Sequence, residues 1–173
     1  MSCPLCSVIV FLVLISTQSL SADDFPKPLN TEDPDATLMS PEDALKGMAV
    51  PDGFDVTLFA AEPNVHQPIA LATDDRGRLW VAENYTYAEA ATNFDSRMRD
   101  RVVILEDVDG DGRFDKRTVF WDRGRRLTSV EIGHGGVWVL DAPNLLFIPD
   151  ADKDDVPDGE PVVMLNGWDD DAA

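Results

Sequence analysis

Hydrophobic and polar positions alternate along much of this chain after residue 50, with the period of two that half-buried strands show. Phe54, Val56 and Leu58 alternate with polar neighbours just after the Pro51-Asp-Gly53 turn, which predicts a strand over Phe54–Phe59. Pro68–Thr73 reads as the next strand, Asp74–Gly77 as a tight turn and Arg78–Ala82 as its hairpin partner. Further strands are predicted at Arg101–Leu105, Arg117–Phe120, Ser129–Ile132, Val137–Leu140, Leu145–Ile148 and Pro161–Leu165. No long helical period occurs. Ser40-Pro-Glu-Asp43 carries a helix-start signature, enough for one turn through Lys46 with Gly47 as the stop. Ala88–Ala91, inside the stretch Tyr85–Arg99, predicts a helical turn or two.

The strands repeat. The apolar run and Asp-rich turn from Val102 to Asp115 return 43 residues later as Leu145 to Asp158. Gly77-Arg-Leu-Trp-Val81 returns 58 residues later as Gly135-Gly-Val-Trp-Val139, so the first copy holds about 15 extra residues, most simply Asn84 to Met98. A period near 43 residues built of strands and turns is the size of a β-propeller blade. Each copy supplies four strands. A closed ring takes at least about four blades. The expected fold is therefore all-β: an incomplete β-propeller over residues 49–173, with about two four-stranded blades plus an N-terminal strand. We expect the chain to be the amino-terminal fragment of a longer protein.

Residues 1–22 contain no charged side chain, and Val8–Ile15 is an unbroken apolar run followed by small residues near Ser21 and Ala22. This predicts a signal peptide and export to the periplasm or cell envelope, although the segment lacks an initial Lys or Arg. Eight apolar residues fall well short of the ~20 that span a bilayer. Residues 23–48 are rich in Pro, Asp, Glu and Thr and read as a flexible linker. Cys3 and Cys6 both precede the apolar run, so cleavage would leave a cysteine-free chain with no disulfide and no thiolate metal site.

The charge changes what partners are expected. All 33 acidic residues lie after residue 22 against 14 basic ones, for a net charge of −19. That balance excludes nucleic-acid binding, which calls for a Lys/Arg surplus, and suits a cation. The acids cluster in the two repeated turns. Asp107, Asp109, Asp111 and Asp115 occupy positions 1, 3, 5 and 9 of a loop with Gly112 at position 6 and the Arg113 carbonyl as main-chain ligand. This matches the first nine positions of an EF-type calcium loop. Thr118 stands where a bidentate Glu is usual, so water or a neighbouring loop must complete the shell. The second turn offers Asp150, Asp152, Asp154 and Asp158, with Asp155 in place of the glycine and Pro161 at position 12, and is the poorer site. Either turn also reads as a solvated acidic hairpin, since Asp and Gly favour turns without any metal.

Other candidates carry less chemistry. His66 and His134 fall in loops and read as structural. Trp80 and Trp138 hold equivalent strand positions and read as packing between blades. Glu83 and its counterpart Asp141 are candidates to face a central channel. Arg123-Gly-Arg-Arg126 reads as a neutralised hairpin loop, and Asn84-Tyr-Thr86 matches a glycosylation acceptor. Sequence patterns for a serine-hydrolase elbow, a zinc-protease helix, a P-loop and a dinucleotide fold are absent.

Val50-Pro-Asp-Gly-Phe-Asp-Val-Thr-Leu-Phe-Ala-Ala-Glu-Pro63, Pro68–Glu83 and the Asp-rich turn together resemble a particular family: the amino-terminal propeller of the membrane-bound dehydrogenases of planctomycete and verrucomicrobial bacteria. The resemblance runs from about Leu45 to Trp168. That family is similar to glucose/sorbosone dehydrogenases, six-bladed propellers holding pyrroloquinoline quinone in the central channel. The resemblance implies oxidation of a sugar or alcohol, a quinone taking the hydride, calcium polarising it and a cytochrome c-type electron acceptor. It also implies membrane association through the parent protein. Its catalytic His and quinone contacts would lie beyond Ala173, so no catalytic or cofactor-binding residue is carried over. Two other classes fit the same residues: a non-catalytic propeller binding module, and a sugar-lactone-type propeller hydrolase.

Overall fold

A computed structural model describes Asp35, residues 37–87 and residues 94–168. The signal-like segment, Cys3, Cys6, half of the 23–48 stretch and Ala88–Ala91 lie outside these described residues. The elements are one short helix, α1 (Pro41–Lys46), and eight strands: β1 (Pro68–Thr73), β2 (Leu79–Glu83), β3 (Asp100–Glu106), β4 (Lys116–Gly124), β5 (Leu127–Ile132), β6 (Gly136–Asp141), β7 (Asn144–Pro149) and β8 (Val162–Asn166). Helix α1 forms where its signature lies: the Ser40 hydroxyl accepts from Asp43 N at 3.1 Å, Pro41 opens the first turn and Gly47 ends it. It buries no residue, so capping rather than packing holds it.

The strands form two antiparallel four-stranded sheets, each in sequential order, β1-β2-β3-β4 and β5-β6-β7-β8. The eight strands of the two repeat copies are all present, with β4 running on to Gly124. Alternation sorts their side chains. Trp80 lies opposite Ile104 and Ala82 opposite Val102, and this face of the first sheet packs on Val130, Val137, Val139, Leu146 and Ile148 of the second. Trp80 meets Phe120 edge-on, with ring centroids 5.0 Å apart. Fully burying each such aliphatic side chain stabilises the stack by ~1.5–3 kcal/mol before entropy is counted. Trp80 thus packs between sheets, as its strand position predicted.

The other face of the first sheet buries Val81, Val103 and Leu105 beneath Phe59, Ala60, Val65 and Phe114. Phe54–Phe59 departs from expectation here. It belongs to neither sheet and forms no strand: residues 54–65 cross the face as a strap, joined to the β3–β4 loop by Phe114 N donating to Phe59 O at 3.2 Å. A strand needs a sheet edge for its row of hydrogen bonds. This segment lies over a sheet face instead, and Phe54 stays 68% exposed.

The chain passes from one sheet to the other through Arg125 and Arg126, and the first sheet grips the arriving residue from both sides. Leu127 N donates to Asp100 Oδ2 at 2.8 Å, and Leu127 O accepts from Asn84 Nδ2 at 2.8 Å. Asp100 also accepts from Thr86 N and Thr86 Oγ1, while Asp141 Oδ1 accepts from Arg125 N and Arg126 N at 2.8 and 2.6 Å. Two sequence expectations are corrected by this. Arg123 and Gly124 end β4 and Arg125–Arg126 connect the two sheets, so the segment is not a hairpin loop, and Arg123 pairs with Glu160 at 2.8 Å. The Asn84-Tyr-Thr86 acceptor is buried, its amide spent on Leu127, and is closed to a glycosyl transferase in the folded chain.

Where the first sheet has Arg78 and Ile104, the second has Gly136 and Phe147. A Cβ at Gly136 would lie 2.3 Å from Ile148 O and 2.7 Å from the Phe147 ring, so only glycine lets that ring lie flat on the strand. Gly136→Ala is expected to lower stability by about 3 kcal/mol. Gly159→Ala, whose Cβ would enter open space, should change it by less than ~0.5 kcal/mol. Urea unfolding midpoints of the two variants check the contrast.

Candidate functional site

The β3–β4 and β7–β8 connections leave the same end of their sheets, and each is an Asp-rich loop. Their backbones match step for step. Positions 4 and 6 are left-handed in both: Gly110 and Gly112 at φ +79° and +85°, Lys153 and Asp155 at φ +58° and +71°. Both loops close alike, Asp115 N donating to Glu106 O at 2.8 Å and Asp158 N to Pro149 O at 2.9 Å. Asp115 Oδ2 and Asp158 Oδ2 accept from Val108 N and Ala151 N, each at 2.7 Å.

In the first loop Asp107 accepts from Gly110 N at 2.7 Å and Gly112 N at 2.9 Å. Carboxylate oxygens of Asp107, Asp109 and Asp115 come within 4.8 Å of one another. Asp111 turns an oxygen to Arg113 N at 2.8 Å and stands outside that group of three carboxylates. In the second loop the convergent set is Asp150, Asp152 and Asp154, again within 4.8 Å. Asp158 stands outside it and serves the turn.

Asp155 departs from the glycine rule without loss of loop shape, and a partner explains it. Its two oxygens accept from Arg78 Nη1 and Nη2 at 2.7 and 2.8 Å, a bidentate pair across the two sheets. Arg78 also donates from Nε to Asp74 Oδ2 at 2.8 Å, and Asp74 collects Arg76 N, Arg78 N and Trp80 Nε1 besides. Lys153 pairs with Asp75 at 2.6 Å, and Arg76 donates to Lys153 O. The second loop is thereby clamped onto the β1–β2 turn. The first loop meets the strap, where Gly112 faces Thr57.

These family-scale features coincide with a known domain. A model described as a domain of unknown function, DUF7133, matches residues 40–172. The chain belongs to the DUF7133 family. No curated protein and no solved structure matches the chain. The DUF7133 match takes in α1, both sheets and both Asp-rich loops.

Other sequence candidates find different places in the DUF7133 fold. Glu83 is fully buried, accepting from His66 N at 2.9 Å, Arg117 Nη2 at 3.1 Å, Arg101 Nε and the Tyr85 hydroxyl. It ties the strap to the first sheet. Asp141 is likewise a backbone anchor. His66 directly follows the strap with its ring 5.9 Å from Tyr85, and His134 is an exposed turn residue at φ +56°. His134 borders a cleft of about 330 Å³ that also touches Asp74, Arg78, Trp80, Asp150 and Lys153. Sequence reading missed Asp100, Asn84 as an anchor, and Arg78. The signal was thin: Asp100 differs from other acids only by opening an apolar strand, where an unpaired charge would be costly.

Environment separates the carboxyls. Backbone donation from Gly112, with more from Gly110 and Asp111, holds Asp107 below the usual carboxylate range. Burial pushes Asp100 up against the backbone donors Leu127 and Thr86. Burial, then the neighbouring Asp154, Asp155 and Asp152 charges, raise Asp150. Burial and the Glu83 charge push the Tyr85 hydroxyl up to about 12. Asp107 therefore adds stability that is present above the unfolded carboxylate value and is lost as pH falls through its folded value. Asp100 and Asp150 have the opposite sign: their contribution is full below the unfolded value and is lost as pH rises through the folded one. Carboxyl-detected NMR titration in chelator should place Asp100 and Asp150 above ~3.9 and Asp107 below it.

Asp155→Gly tests the clamp. It relieves left-handed strain of ~1 kcal/mol but strips a carboxylate from Arg78, whose side chain is 6% exposed. The net expectation is a destabilisation of about 2 kcal/mol, since an under-compensated buried charge outweighs the relief; thermal or urea unfolding reads the sign.

Proposed function

We propose that this chain supplies two blades of an exported β-propeller oxidoreductase, and that its Asp-rich loops bind calcium to fix each blade. The observation that supports the cation reading is the loop pair itself: two loops of different sequence hold the same backbone and each converges three carboxylates. Their donors are all hard oxygens, which fits calcium and not a thiolate- or imidazole-loving metal. Asp107, Asp109 and Asp115 would hold the ion in the first loop, and Asp150, Asp152 and Asp154 in the second. There the ion would neutralise carboxylates that otherwise repel one another.

The oxidoreductase reading comes from the family resemblance and the stacking of two like sheets. A bound quinone would accept the hydride of a sugar or alcohol. The described residues offer no donor set aimed at such a ring, so this chain's part is to position blades and loops around it.

Calcium titration of the full chain tests the cation reading. Calorimetric binding is expected, with a gain of ~2.7 kcal/mol when free calcium is a hundred times its dissociation constant. Asp107→Asn with Asp109→Asn should abolish the response of the first loop. No heat and no shift in unfolding midpoint would remove the reading. For the redox part, native protein purified from the host envelope should reduce an artificial dye when given quinone, calcium and a panel of sugars and alcohols. Silence across that panel removes the oxidoreductase reading and leaves the calcium one intact.

A further inference from the structure

The two Asp-rich loops differ most at their first carboxylate. Asp107 is answered by its own loop: Oδ1 accepts from Gly110 N and Asp111 N at 2.7 and 3.2 Å, and Oδ2 from Gly112 N at 2.9 Å. Its counterpart Asp150 is 6% exposed, and its side chain accepts only from Asp154 N, at 3.2 Å to Oδ1. Among the described residues nothing donates to Asp150 Oδ2, and no Lys, Arg or His pairs with it. The cations that reach this loop are committed to other carboxylates, Arg78 to Asp74 and Asp155, and Lys153 to Asp75. Glu83 shows what a buried carboxylate takes elsewhere in the chain: two guanidinium groups, a hydroxyl and a backbone N–H. Asp150 has instead the oxygens of Asp152 and Asp154 within 4.8 Å, charges of its own sign. A carboxylate so placed is costly without a counter-charge.

The surroundings have room for one. The cleft of about 330 Å³ reaches Asp150 between the β1–β2 turn and the β5–β6 turn, Gly133–Gly136. Water from it can fill out the roughly six to eight oxygens that calcium takes.

We infer that the second loop is the stronger calcium site of this chain, and that the ion held there braces one sheet against the other. The inference rests on the cation reading of the loops, and adds the order in which they fill and what the tighter ion does. Sequence favours the first loop, with its glycine at position 6. Shape does not separate them, because Lys153 and Asp155 take the same left-handed conformations as Gly110 and Gly112. Burial does: the carboxylate at position 1 lacks a partner only in the second loop. Lys153 lies between Asp152 and Asp154, and Asp155 follows them. These two residues make the clasp onto the β1–β2 turn of the first sheet. An ion joining Asp150, Asp152 and Asp154 fixes the backbone from which the clasp is made. The first loop meets the strap over its own sheet instead.

Calcium titration of the isotope-labelled full chain, followed by backbone amide shifts, tests the order. Amides of Ala151–Val156 should shift within the first equivalent, and those of Val108–Arg113 only at higher calcium. In calorimetry, Asp150→Asn should lose the tighter binding event and keep the weaker one, whereas Asp107→Asn keeps the tighter. Asp152→Asn with Asp154→Asn, both at exposed positions, repeats the test if Asp150→Asn does not fold. Arg76 N and Arg78 N donate to Asp74 within the clasped turn, so they report on the brace. Their hydrogen exchange should slow with calcium in the unaltered chain and in Asp107→Asn, but not in Asp150→Asn. First-loop shifts that come first or together with the second, a tighter event that survives Asp150→Asn, or exchange in the turn that ignores calcium overturns the inference and leaves the cation reading standing. Calcium that moves neither loop overturns both.

Discussion

The peptide of Leu127 is the point on which the arrangement turns. A residue entering a new sheet beneath an existing one must bury its N–H and C=O, and each left unpaired would cost ~1–3 kcal/mol. Asp100 and Asn84, both from the first sheet, take one group each. The second sheet therefore begins at a place set by the first, and its apolar face arrives in register with Trp80, Val102 and Ile104. Gly124 belongs to the same device: a Cβ there would lie 2.9 Å from the Asp100 Cβ, so the strand can end this close to the anchor only as glycine.

The same economy explains a contrast between the two Asp-rich loops. They share a fold because both place acceptor carboxylates at positions that collect successive backbone N–H groups, and such turns form whether or not a metal is present. What differs is the company they keep. Arg78 reaches across the sheet boundary to Asp155, and Lys153 reaches back to Asp75, so part of the second loop's charge is answered within the protein. The first loop meets the strap at the uncharged residues Thr57 and Phe59, and its carboxylates face solvent. A glycine at position 6 suffices there; in the second loop a bidentate pair holds an aspartate in a conformation it would otherwise avoid.

The strap has its own logic. A first sheet with two apolar faces needs a cover on the side away from its neighbour, and Phe59, Ala60 and Val65 provide one. Glu83 fixes it, using His66 N just after the strap and Arg101 and Arg117 from the sheet. The carboxylate is fully buried, so both guanidinium groups and the tyrosine are needed for its charge to be tolerable there.

Alternation and repetition were enough to read the eight strands, their grouping in fours, the turn of helix at Ser40 and the two acidic loops, because a period of two, a cap and a turn are properties of neighbouring residues. Tertiary structure alone decided the rest. Phe54–Phe59 has the alternation of a strand but lies across a face with no edge to join. Glu83, Asn84 and Asp100 are ordinary polar residues in the chain, and they became anchors only because stacking removed water from around them. Whether a carboxylate serves a turn, a neighbouring sheet or a cation depends on which donors lie within about 3 Å in space, and those donors come from positions as much as 78 residues away in sequence.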